Sequence, residues 1–88
     1  MKMIIAIIEN NLSRDVSKAL RAEGFRLTRM AATGGFLREG ATTLMIGTQD
    51  EEVETVLGII RKQIPTEKET DKQHATIFVI DVKNFQRI

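Results

Sequence analysis

Met3-Ile4-Ile5-Ala6-Ile7-Ile8 is an unbroken apolar run of strand length, closed by Asn10-Asn11. A strand that is apolar at every position has no face suited to water, so it belongs inside a sheet that is covered on both sides. A second run of the same kind, Ala75-Thr76-Ile77-Phe78-Val79-Ile80-Asp81-Val82, lies near the C-terminus. Whatever the chain folds into must bury both. With 88 residues it has the length of one domain, residues 1–88, and a chain this short shields only a modest fraction of its surface. Association between copies is a common remedy.

The segments between the two runs limit the choices further. From about Ser13 to Glu23, Val16, Ala19, Leu20 and Glu23 recur at helical spacing, with Glu23 the one polar member of that face. Asn11 or Ser13 is the expected cap, and Gly24 fits the position just past the helix end. Phe25 to Thr33 alternates, with Phe25 and Leu27 on one side and Arg26, Thr28 and Met30 on the other, as in a half-exposed strand. Gly34-Gly35 and Gly40 bracket a short loop. Thr42 to Thr48 reads as a third strand, in which Gly47 marks a bulge or a close backbone approach. Thr48-Gln49-Asp50-Glu51 has the form of a capping box, with Asp50 as the competing cap. The second helix carries Val53, Val56, Leu57, Ile60 and Ile64 and closes at Pro65. Thr66 to Gln73 is wholly polar and reads as a solvated connection. Lys83 to Ile88 is a short tail with Phe85 as its expected anchor.

The order is βαββαβ, the ferredoxin-like α+β arrangement of a four-stranded antiparallel sheet with both helices on one face. Two helices cover one face only. The other face needs a cover, and further subunits are the economical choice.

Few chemistries fit this composition. There is no cysteine, which removes disulfides and thiolate metal sites. His74 is the single histidine, at the end of the polar connection, and reads as a surface histidine beside a strand. One histidine with scattered carboxylates has neither the spacing of a metal site nor the partners of a catalytic one, so no enzyme, metal or cofactor is expected. A formal net charge of +1 leaves no electrostatic footprint for a nucleic-acid polymer or an anionic membrane. The four phenylalanines, without tyrosine or tryptophan, supply no obvious base-stacking platform. Met3–Ile8 is too short to span a bilayer, and Glu9-Asn10-Asn11 stands where a signal peptide would need small residues. A soluble, cytoplasmic protein is expected.

One segment invites a ligand. Glycines in Thr33-Gly34-Gly35-Phe36-Leu37-Arg38-Glu39-Gly40 let backbone N–H groups approach anionic oxygens. Phe36 offers an aromatic face to a planar group, while Arg26, Thr28 and Arg38 can supply charge and a hydroxyl donor. The competing reading is a hairpin turn with glycines at positive φ and Phe36 packed back on the sheet.

Gly24-Phe25-Arg26-Leu27-Thr28, Thr33-Gly34-Gly35-Phe36-Leu37-Arg38 and Thr42-Thr43-Leu44-Met45-Ile46-Gly47, with the two apolar runs, resemble the cyclic-di-AMP receptor family of PII-like proteins. The resemblance spans nearly the whole chain apart from residues 65–74. It implies a homotrimer of ferredoxin-like subunits that binds cyclic di-AMP in clefts between neighbours, catalyses nothing and signals to a protein partner. By the same resemblance, Arg26 and Thr28 contact the nucleotide, Gly35, Phe36 and Leu37 shape the pocket with Phe36 against an adenine, and Gly47 admits the backbone close to a base. Two places depart from the family pattern. Ala41 stands where members commonly carry an asparagine, and the connection before the last strand is short, with Gln73-His74 in place of a Gly-Gly pair. Three functions therefore stay open: a cyclic di-AMP receptor, a trimer of the same build binding another nucleotide or small anion, and an interaction scaffold without a small ligand.

Overall fold

The structure, a computed structural model, describes residues 1–30, 40–65 and 74–88. Its elements are β1 (Lys2–Glu9), α1 (Asn10–Ala22), β2 (Leu27–Met30), β3 (Ala41–Thr48), a 3-10 turn (Asp50–Glu52), α2 (Val53–Gln63) and β4 (Ala75–Asp81). The four strands form one sheet in the order β2-β3-β1-β4, every pair antiparallel. The apolar run Met3–Ile8 thus lies in an inner strand, paired on both sides. The Thr66–Gln73 connection and residues 31–33 of the expected second strand lie outside the described residues.

The pleat sends alternate side chains to opposite faces. Ile4, Ala6 and Ile8 of β1 and Leu44 and Ile46 of β3 meet Val16 and Leu20 of α1 and Val56 and Ile60 of α2 in a core from which solvent is excluded. Each buried valine, leucine or isoleucine among them contributes about 1.5–3 kcal/mol. On the opposite face, Met45 pairs in register with Ile5, and Ile5 with Phe78, while Met3 pairs with Ile80. Among the described residues no helix covers this face: Phe78 is 43% exposed and Ile80 46%.

The helix ends show where local signals held. At the end of α1 the Gly24 N–H donates to the Arg21 carbonyl at 3.0 Å and the Phe25 N–H to the Leu20 carbonyl at 3.0 Å. This paired closure needs a left-handed residue, and Gly24 supplies it at φ +87°. At α2, Ile64 is extended, as a residue before proline must be, so the helix stops at Gln63.

Both expected helix caps are absent. Because β1 stays paired through Glu9, α1 begins at Asn10 with no intervening loop and no side-chain cap. Ser13 is instead buried one turn in, donating to the Asn10 carbonyl at 3.0 Å and accepting from Arg29 Nη2 at 3.2 Å. The Asn10 amide oxygen accepts from the Thr42 hydroxyl at 2.6 Å, which ties the helix start to β3. The Thr48 capping box does not form either. Pairing of Thr48 with Lys2 keeps it in the strand, and its hydroxyl is buried without a partner. Asp50 turns its carboxylate to the Met1 amino group at 2.9 Å.

Three further expectations change. Gly47 causes no bulge, since the β1–β3 register passes through Met3 and Gly47 unbroken. The buried stripe of α1 is Ser13, Val16, Ser17 and Leu20, so Ser17 takes a place expected of Ala19. Phe85 is 59% exposed rather than packed as the anchor of the tail; β4 ends at Asp81, and the Val82 N–H donates to the Met1 carbonyl.

Candidate functional site

Phe25 follows the α1 closure directly and packs with Leu27 against the core. The alternation of β2 then turns Arg26 and Thr28 to the opposite, exposed side. In the sheet Thr28 pairs with Met45 and Leu27 with Ile46. One step further along this register stand Arg26 and Gly47. Gly47 has no side chain, so the surface beside Arg26 is hollow. A Cβ added there would meet only the Met1 methyl carbon, at 3.9 Å.

The result is a cleft of about 850 Å³ over this end of the sheet, a volume in the range of small-molecule sites. Met45 and Gly47 of β3 and Met3 of β1 contribute to its lining, with Phe25, Arg26, Leu27 and Thr28 from the β2 side and Met1. Two guanidinium-bearing residues join them: Arg21 from the last turn of α1 and Arg87 from the C-terminal tail.

Electrostatics at this end of the sheet are settled by two contacts. The Met1 amino group holds Asp50, and its hydrogen bond draws the Asp50 carboxyl below the ordinary value of 3.8 despite opposing desolvation. Lys2 pairs with Asp81, whose hydrogen bond raises the lysine above its ordinary 10.5. Among the described residues, no ion pair joins Arg21, Arg26 or Arg87 to a carboxylate.

The structure brings together Arg26, Thr28 and Gly47 of the residues singled out in the sequence. Gly35, Phe36 and Leu37 lie outside the described residues. Gly40, at the end of the glycine-bracketed segment, has φ +76°, and its carbonyl accepts from the Asn10 N–H at 2.9 Å. The hairpin reading of a glycine at positive φ is met at that position. Ala41 begins β3 opposite Glu9 and is 1% exposed.

His74 stands beside a strand as expected, directly before β4, but it is largely covered rather than on the surface. Its Nδ1 lies 3.0 Å from Glu9 Oε2, with the two side chains 14% and 12% exposed. The pair closes the far end of the β1–β4 ladder, where the Glu9 N–H also donates to the His74 carbonyl. Among the described residues no three His, Asp or Glu side chains gather as a metal site, and no helix is long and apolar enough to cross a membrane.

Arg21 and Arg87 carry no mark in the sequence. Arg21 reads as an ordinary basic residue near a helix C-terminus, and nothing in a terminal tail indicates where it returns. The available signal is Gly24, which turns the chain back and sets the last turn of α1 beside Phe25.

A four-stranded antiparallel sheet with two helices on one face and a cleft beside its β2 edge defines a ferredoxin-like α+β protein. The sequence matches the model of the cyclic-di-AMP receptor family over residues 1–73, and the chain belongs to that family. A crystal structure from Pediococcus pentosaceus, described as that of a functionally unknown protein, is similar at 35% identity with a TM-score of 0.80, over 99% of this chain and 96% of that one.

Proposed function

We propose that the protein is a PII-like receptor that binds cyclic di-AMP in clefts between the subunits of a homotrimer and passes the signal to a protein partner in the cytoplasm, without catalysing a reaction. The observation that carries this reading is the meeting of Arg26, Thr28 and Gly47 at one cleft. A guanidinium fork and a hydroxyl are donors for phosphodiester oxygens, and the missing side chain at Gly47 gives a flat base room to approach. Family membership supports the ligand. The exposed apolar face holding Phe78 and Ile80 supports the assembly. Gly35, Phe36 and Leu37 complete the pocket in this reading, with Phe36 stacked on an adenine.

Calorimetric titration with cyclic di-AMP tests it. The expected result is saturable heat near one nucleotide per subunit, weakened by Phe36→Ala. No heat at tens of micromolar protein, from wild type and variant alike, refutes it.

Ala41 favours a second reading. A buried methyl group stands where the family commonly places an amide, and losing one such contact weakens a buried ligand by roughly ten- to a hundredfold. The same trimer would then hold another nucleotide or a small anion. A thermal-shift screen separates the two readings, because the second requires a larger shift from some other nucleotide than from cyclic di-AMP. A ligand-free scaffold has less support, since Arg26 is exposed beside an unfilled cleft among the described residues.

A further inference from the structure

Arg21 and Arg87 have no part in the reading above, yet both line the cleft that holds Arg26. They reach it from separate elements, the last turn of α1 and the tail beyond β4. Three arginines line one hollow, and like charges brought together there repel each other unless an anion offsets them. The chain does not supply that anion among its described residues. The two carboxylates engaged at this end of the sheet are held by ammonium groups, Asp50 by Met1 and Asp81 by Lys2. The neighbouring lining is apolar and pliable, from Phe25, Met1, Met3 and Met45, and such side chains adapt well to a planar ring. A lining that combines arginines with apolar side chains suits a nucleotide, the arginines for its phosphate and the apolar residues for its base.

We infer that Arg21 and Arg87 are phosphate-contacting residues of this cleft, so that the C-terminal tail is part of the binding site. The phosphates are then held from three places: the last turn of α1, the residue just before β2, and the tail. This inference rests on the cleft being the ligand site proposed above, but it does not depend on the ligand being cyclic di-AMP.

The test titrates wild type, Arg21→Ala, Arg87→Ala and Arg87→Lys with cyclic di-AMP and, separately, with ADP, in low and in physiological salt. Arg14→Ala is the control, an exposed arginine of α1 that does not line the cleft. Arg14, Arg21 and Arg87 are all exposed, so folding should be retained, and thermal unfolding verifies it. Each alanine variant at the cleft is expected to weaken binding about tenfold or more, as for a charge-assisted hydrogen bond. Arg87→Lys should fall between wild type and alanine, because it keeps the charge but loses the fork. Arg14→Ala should change binding less than about twofold, and added salt should weaken wild type more than the alanine variants. Binding of cyclic di-AMP that Arg21→Ala and Arg87→Ala leave unchanged overturns the inference and preserves the proposed function. Binding of ADP alone, weakened by both variants, does the reverse. A loss equal to that in Arg14→Ala reduces the effect to net charge and overturns the inference, and so does wild type that binds neither nucleotide.

Discussion

Gly47 offers a substitution for which stability and binding are expected to move in opposite directions. It lies within β3, in unbroken register with Met3, where a glycine weakens a strand by roughly 0.5–1 kcal/mol relative to a residue with a side chain. A Cβ at this position meets only the Met1 methyl carbon at 3.9 Å, an ordinary contact. Gly47→Ala should therefore stabilise the fold by about 0.5 kcal/mol and Gly47→Val by up to about 1 kcal/mol, the β-branched side chain being better suited to a strand. For a domain of this size that corresponds to a rise in Tm of about 2–8 °C. The same side chain projects into the cleft beside Arg26. If a base lies over Gly47, crowding of about 1–3 kcal/mol lowers affinity by roughly ten- to a hundredfold. Thermal unfolding and calorimetric titration of the two variants measure both quantities. A lower Tm refutes the packing argument. A higher Tm with unchanged cyclic di-AMP affinity refutes the role given to Gly47 in binding.

Three further outcomes follow from the described geometry. Gly24→Ala should destabilise by about 1 kcal/mol because φ +87° is strained for alanine even in open space, while Gly58→Ala, in mid-helix where an added Cβ would meet nothing within 4 Å beyond its own helix among the described residues, should stabilise by about 0.5–1 kcal/mol; urea unfolding of the pair checks the opposite signs. In the proposed trimer, Phe78→Glu places a charge on the apolar open face and should shift wild-type oligomers to smaller species in sedimentation velocity; an unchanged distribution, or a monomeric wild type, contradicts assembly through this face. The Asp50 carboxyl is lowered in the folded state, so its contact with the Met1 amine stabilises above the ordinary value of 3.8 and is lost as pH falls through the lower folded value. Asp50→Asn should therefore lower Tm slightly near neutrality and bring the two Tm values together in strong acid, and an equal gap at every pH contradicts the ion pair.

The sheet is legible in the sequence because its signals are local and redundant. Met3–Ile8 reads as an inner strand, Gly24 fits a helix end, and the alternation from Phe25 separates Arg26 and Thr28 from the core side by spacing alone. The caps depart from the local pattern for a tertiary reason. Pairing of Glu9 with Ala41 and of Thr48 with Lys2 carries both strands further than their composition suggests, and those pairings draw Ser13 and Thr48 into the interior. Ser17 escapes the hydrophobic pattern because a buried serine leaves no mark in it. His74 gains a partner only when β1 and β4 come side by side, with Glu9 as that partner. The cleft follows the same division. Arg26, Thr28 and Gly47 can be found by register and family resemblance, but Arg21 and Arg87 meet them only through the closure of α1 and the path of the tail.

A crystal structure of the protein grown with cyclic di-AMP tests the central claim most directly. Nucleotide density is expected between adjacent subunits of a trimer, with phosphate oxygens within hydrogen-bond distance of Arg26 and Thr28 and a base over Gly47. A trimer with cyclic di-AMP bound elsewhere, or crystals saturated with the nucleotide whose clefts stay empty, would contradict it.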